Sequence, residues 1–174
     1  MITLIKPRKE LEQDIFEYKN EMIEAGNEGL SGCGGLDKAD NYDEWIKRIN
    51  AYSNKETLPE GYVEGSQWLL VDTSINRVLG FSNIRHYLND FLIEFGGHIG
   101  YSIRPSERRK GYAKLQLKLS LDILKSLGVD KALITCDIDN IGSSKTIEAC
   151  GGELEDIRYS KEEGHTKRYW ISIQ

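Results

Sequence analysis

"RPSERRKGYAKLQLKLSLDILKSLG", residues 104–128, is the stretch on which the fold turns. Two periodicities compete in it. "LQLKLSLDI" (115–123) alternates apolar and other residues, as a half-buried strand does. Wrapped at about 100° per residue, however, Lys114, Lys118, Asp122 and Lys125 share one arc about 80° wide. The rest of the circumference is apolar apart from Gln116, Ser120 and Ser126. The run is too long for an ordinary strand, holds one β-branched residue (Ile123), and stops at Gly128, a residue suited to end a helix. The pattern predicts a largely buried helix over 111–127.

The residues before that helix carry the chemistry. A strand ends at Ile103-Arg104, Pro105 stops its pairing, and "SERRKG" turns the chain into the helix. A helix N-terminus presents unpaired N–H groups and a positive partial charge. Gly111 lets the backbone approach a ligand and take φ > 0, and Arg108, Arg109 and Lys110 reinforce the preference for an anion. Together these make a phosphate cradle. No Gly-x-x-x-x-Gly-Lys-Ser/Thr is present, which excludes a nucleoside-triphosphate loop. No Gly-x-Gly-x-x-Gly follows a strand, which disfavours a dinucleotide fold.

Outward from the helix, "KALITCDI" (131–138) reads as a strand, "SSKTIEACG" (143–151) as a short helix, and "ELEDIRYS" (153–160) with "KRYWISI" (167–173) as a closing hairpin. Upstream, "ITLIK" (2–6) is a strand ended by Pro7. Leu11, Ile15, Tyr18, Met22 and Ile23 give residues 8–25 a helical stripe. The glycine-rich 25–37 segment is a loop, either ligand-adjacent or a plain connector. Asp40 or Asn41 caps a helix over 42–53. Strands over 67–72, 77–88 and 96–104 form an antiparallel meander, with "NDFLIEF" as a longer connection.

The 174 residues suit a single domain, 1–174; 39% are hydrophobic and 29% charged, the balance of a globular protein. A net charge of −5 argues against nucleic acid as a partner, and no apolar run approaches a membrane span. The "MITLIK" start lacks the apolar core of a signal peptide, and Cys33, Cys136 and Cys150 have neither disulfide nor metal-ligand spacing. A reduced, cytoplasmic protein without a metal is expected.

"SIRPSERRKGYAKLQLKL" (102–119) resembles the signature of the GNAT superfamily of acyl-CoA-dependent N-acyltransferases, whose loop reads Arg/Gln-x-x-Gly-x-Gly/Ala. Here it stands as Arg108 to Ala113, opening the central helix. A second family motif is matched by Asn140, Ser143 and Gly151, and the element order agrees over nearly the whole chain. The wording is similar to a bacterial subgroup of that superfamily. The resemblance implies a mixed α/β fold of the α+β kind. Its central, mostly antiparallel sheet is splayed between the fourth and fifth strands, with helices on both faces. It also implies acetyl-CoA as co-substrate. On that match, backbone N–H groups of Arg109, Lys110, Gly111, Tyr112 and Ala113 hold the pyrophosphate, with Arg108, Lys110 and Lys114 as nearby charge. The backbone of Tyr101, Ser102 and Ile103 pairs with the pantetheine arm, and Asn140 and Ser143 meet it from the other side.

One departure is Ile147, where many relatives place a tyrosine that protonates the leaving thiolate. The candidates for catalysis are Glu94, His98 or a water chain as base, and Tyr159 or a substrate group as a replacement acid. The expected reaction is direct transfer of an acetyl group to a primary amine of a small molecule or peptide. The alternative is a binding-only acyl-CoA sensor or interaction module. Glu10, Glu12, Glu21, Glu24, Glu28, Asp37, Glu162 and Glu163 on the segments expected to meet the acceptor favour a cationic one; a homodimer is allowed.

Overall fold

The computed structural model describes residues 1–27 and 29–174. In chain order the elements are β1 (Ile2–Ile5), α1 (Glu12–Glu24), α2 (Tyr42–Tyr52), β2 (Gly65–Asp72), β3 (Arg77–Arg85) and β4 (Ile99–Ile103). They continue as α3 (Tyr112–Ser126), β5 (Lys131–Asp137), α4 (Ile141–Ala149), β6 (Glu153–Ser160) and β7 (Gly164–Ser172). The helical period wins over the alternating one in α3 because the sheet buries one side of it. Leu117, Leu121 and Leu124 enter the core. Gln116 and Ser120, the apparent breaks in the apolar arc, are also buried; hydrogen bonds offset much of that cost, although Gln116 Oε1 has no partner among the described residues. Gln116 Nε2 donates to the Phe81 carbonyl at 2.8 Å, and the Ser120 and Ser82 hydroxyls are 2.8 Å apart.

The strands form two sheets, ordered β1-β2-β3-β4 and β5-β7-β6, and every ladder within them is antiparallel. They meet where the His98 N–H donates to the Leu133 carbonyl at 2.7 Å and the Leu133 N–H donates to His98 Nδ1 at 2.9 Å. No other backbone hydrogen bond joins β4 to β5 among the described residues. This is the expected splay between the fourth and fifth strands. Helices α1 and α2 cover one face, where Tyr18, Met22 and Trp45 pack on Leu69, Val71 and Phe81. Helices α3 and α4 cover the other, where Leu117, Leu124 and Ile147 pack on Ile84, Ile134 and Tyr169.

Several boundaries differ from the sequence expectation. A 3₁₀ turn at Lys9–Leu11 precedes α1, so the helix proper starts at Glu12. "NDFLIEF" is not plain connection. Asn89 Oδ1 accepts from the Leu92 N–H, and a π-helical turn over Leu92–Gly96 follows, which shortens β3 and delays β4. Asn140 caps α4 by accepting from the Ser143 N–H, so that helix begins two residues early. The 29–37 loop is anchored rather than a surface connector. Leu30, Cys33 and Leu36 are buried, Trp45 Nε1 donates to the Cys33 carbonyl, and Gln67 Nε2 donates to the Gly32 carbonyl.

Just after β4, Arg104 is 1% exposed, and its guanidinium is held by Asp14 through bonds of 2.9 and 3.0 Å and by Glu21 at 2.8 Å. A buried cation tolerates desolvation only with such partners. The cluster pins α1 to the end of β4, the point at which the chain turns into α3. No helix among the described residues is long and apolar enough to cross a membrane.

Candidate active site

The turn after β4 is built around two residues with left-handed backbone, Arg109 (φ 64°) and Gly111 (φ 85°). Such alternation aims successive N–H groups into a common concavity. The first intrahelical bond of α3 runs from the Leu115 N–H to the Gly111 carbonyl, and no side chain caps the helix. The N–H groups of Tyr112, Ala113 and Lys114 thus have no intrahelical acceptor and face outward at the positive end of the helix. A Cβ placed on Gly111 would meet nothing within 4 Å, so the backbone is open to a ligand there.

This turn is the floor of a cleft of about 720 Å³. One wall is β4, whose edge facing away from β3 is unpaired beyond His98. The other is the first turn of α4, and Asn27 and Ser31 close one side. Every residue nominated for the cofactor lines the cleft except Lys110, whose ammonium is paired with Glu107 at 2.8 Å. Arg108 acts as a strut, its guanidinium donating to the Ile103 carbonyl at 3.1 Å and to Asn27 Oδ1 at 3.3 Å. Lys114 and Lys145 supply charge at the cleft wall. Sequence reasoning missed Asn27, Ser31 and Lys145. The first two lie in the glycine-rich 25–37 segment, and the third lies inside the Asn140–Gly151 motif.

Two hydroxyl pairs organise the β4 wall. The Tyr101 hydroxyl lies 2.8 Å from Ser143 Oγ, tying β4 to α4, and burial pushes its phenol up to about 12. Ser102 Oγ lies 2.8 Å from the Tyr18 hydroxyl and 3.6 Å from Cys33 Sγ. Burial pushes the Cys33 thiol up to about 12 and the Tyr18 phenol well above its ordinary value. Both keep their protons, so neither is a nucleophile at neutral pH.

None of the three residues nominated for catalysis lines the cleft. Glu94 is about half exposed on the π-helical turn, beside Arg158 at 3.8 Å. His98 is 4% exposed and engaged on both sides by Leu133; burial pushes its imidazole down to about 4. Tyr159 is 65% exposed and packs against His165. Ile147 is fully buried under Gly152, and its neighbour Thr146 faces the cleft instead. The acidic rim does not gather either. Glu12 is paired with Lys9 and Glu21 with Arg104, while Glu28 lies outside the described residues.

Comparison with known proteins bears on this geometry. The family described as "Acetyltransferase (GNAT) domain" matches residues 3–153. Among solved structures, the chain is similar to a spermidine N-acetyltransferase chimera derived in part from Vibrio cholerae. The identity is 16% and the TM-score 0.65, over 98% of this chain and 95% of that one. It is similar to a Salmonella typhimurium protein solved with its cofactor acetyl-CoA, at 12% identity and a TM-score of 0.62, over 99% and 94%. It is also similar to a Salmonella typhimurium acetyl transferase that modifies the N-terminal serine of a 50S ribosomal subunit protein, at 16% and 0.63, over 98% and 94%. No curated protein matches the sequence.

Proposed function

The chain belongs to the GNAT acetyltransferase family, and from that membership we propose that it binds acetyl-CoA in the cleft beneath β4 and moves the acetyl group directly to a primary amine of a small molecule or peptide. The observation that carries this reading is the turn at Arg109–Gly111. Its backbone N–H groups have no helical acceptors, and it sits on the floor of a cleft whose wall is a free strand edge. A pyrophosphate suits that turn and an amide-rich arm suits that edge. Lys114 and Lys145 add charge. Asn140 and Ser143 face the arm from α4.

When bound, acetyl-CoA supplies a thioester whose carbonyl carbon the amine attacks. The chain's part is to hold both partners in line and to manage protons. Tyr101 stays protonated on the cleft wall; with its phenol pushed up to about 12 it is too weak an acid to protonate a thiolate, and the role we assign to it is a hydrogen bond to the departing sulfur. Glu94, His98 and Tyr159 have less support, because none of them reaches the cleft.

A cationic acceptor rests on the exposed Glu10, Glu24, Asp37, Glu162 and Glu163, since Glu12 is paired with Lys9 at the surface and Glu21 with the buried Arg104. The test is release of free CoA thiol from acetyl-CoA across a panel of amines. Release that depends on one amine supports transfer. Saturable CoA binding without any amine-dependent release supports the binding-only alternative.

A further inference from the structure

Arg104 and Arg168 are buried with counter-charges, whereas Arg85, partly buried beside the cleft, has none among the described residues. Arg104 has Asp14 and Glu21, and Arg168 has Glu155 at 2.6 Å and Asp156 at 2.8 Å. Arg85, at the end of β3, has no carboxylate within ion-pair distance among the described residues. Its Nη1 donates to the Gly96 and Gly97 carbonyls at 3.2 and 3.5 Å, and its Nη2 has no acceptor. Burial without a compensating charge pushes it down to about 10. The two carbonyls fix the guanidinium, so the missing partner is not a matter of a side chain left free to roam.

What the guanidinium faces is the space over Gly100. A Cβ placed on Gly100 would lie 3.3 and 3.4 Å from Arg85 Nη2 and Nη1 and 3.5 Å from the Gly32 nitrogen. The Gly32 N–H has no acceptor among the described residues. Donors from two separate segments thus converge over a residue that has no side chain. The space borders the cleft, because the next residues along both segments, Tyr101 and Ser102 on β4 and Ser31 on the loop, line it.

We propose that this space is the anion subsite of the acceptor: the amine that is acetylated belongs to a molecule carrying a carboxylate, an amino acid or a peptide, which Arg85 and the Gly32 N–H hold. The inference rests on the transferase reading and deepens it. A guanidinium matches a carboxylate in a paired, charge-assisted geometry that an ammonium does not offer. A polyamine, lacking any anion, would leave Arg85 without a partner and add its own positive charge beside it.

Two variants separate charge from shape. Arg85→Gln removes the cation. Gly100→Ala keeps it and fills the space, and Gly100 has no positive φ for an alanine to strain. Stabilisation by CoA is measured first; its absence in the wild type overturns the transferase reading and this inference with it. With CoA bound, the Arg85 side-chain N–H resonance is then followed by NMR as propionate or propionamide is added. The resonance is expected to move with propionate alone, and not in Gly100→Ala.

Thiol release is compared for free amino acids, their carboxamides and spermidine. The carboxylate form is expected to exceed its carboxamide in kcat/KM by about 10- to 100-fold. Both variants are expected to erase that ratio while CoA still stabilises them. A preference for spermidine or carboxamides, or an Arg85 resonance indifferent to propionate, overturns the inference and leaves the transferase reading standing. If no amine in the panel is turned over, the NMR result decides alone.

Discussion

Gly111 shows how a single residue carries a site. Its φ of 85° is a region that a β-branched side chain resists, yet there is room for a Cβ. Gly111→Val is therefore expected to fold but to bind CoA about tenfold or more weakly, through backbone strain rather than collision. Gly111→Asn, which tolerates left-handed backbone, is expected to keep most of the affinity. Titration calorimetry with CoA on both variants checks the order. Tyr101 gives a kinetic counterpart. With its phenol pushed up to about 12, an acid in that position stays protonated through the working range. The log of kcat/KM is expected to rise with pH and then plateau below about pH 10, without a falling limb. Tyr101→Phe is expected to lower kcat by about tenfold while CoA affinity changes little; an unchanged kcat removes Tyr101 from hydrogen bonding to the departing sulfur.

Among the elements, the junction of the two sheets is titratable. His98 accepts the Leu133 N–H through Nδ1, which an imidazolium cannot do. Burial holds its folded value at about 4, below the ordinary 6.5, so its contribution to stability is complete above pH 6.5 and lost as pH falls toward 4. The loss is about 1.4 kcal/mol per pH unit across that window. Thermal melts of wild type and His98→Asn are expected to converge as the solution is acidified, and parallel curves would show that His98 does not titrate there. The Arg104 cluster makes a second element-level prediction. Arg104→Ala leaves Asp14 and Glu21 with only the longer contacts to Arg77, at 3.4 and 3.8 Å, and is expected to cost about 3 kcal/mol in denaturant unfolding. Elements were readable in the sequence where the signal is local: the lysine arc and terminal glycine of α3, and the cap of α2. They were not readable where partners are distant. Gln116 and Ser120 looked like flaws in an apolar face until Phe81 and Ser82 supplied their bonds. Glu94 and His98 are near β4 in sequence, but the π-helical turn carries one outward and Leu133 captures the other.

For the whole molecule, a ligand in the cleft touches β4 of one sheet and the first turn of α4, which follows β5 of the other, so binding opposes their separation. CoA at about 100 times its Kd is expected to stabilise the chain by about 2.7 kcal/mol, a rise in Tm of about 5 to 10 °C. A melt indifferent to millimolar CoA would contradict that. The turn into α3 was legible because a motif, a strand end and a helix start coincide in one stretch. Arg85 was not, because lacking a counter-charge is a property of neighbours that only the folded chain defines. A last consequence concerns the order of events in turnover. A Cβ on Gly32 would lie 2.5 Å from the Gly100 carbonyl oxygen and 2.6 Å from Tyr101 Cα, so the glycine loop rides directly on the strand that walls the cleft. Any displacement of that strand by one substrate is expected to be felt by the other, and such coupling is reciprocal. Initial rates with both substrates varied are therefore expected to give intersecting rather than parallel double-reciprocal lines, with an interaction factor different from one. Gly32→Ala, which forces the two backbones apart, is expected to bring that factor toward one, so that each substrate binds as though the other were absent.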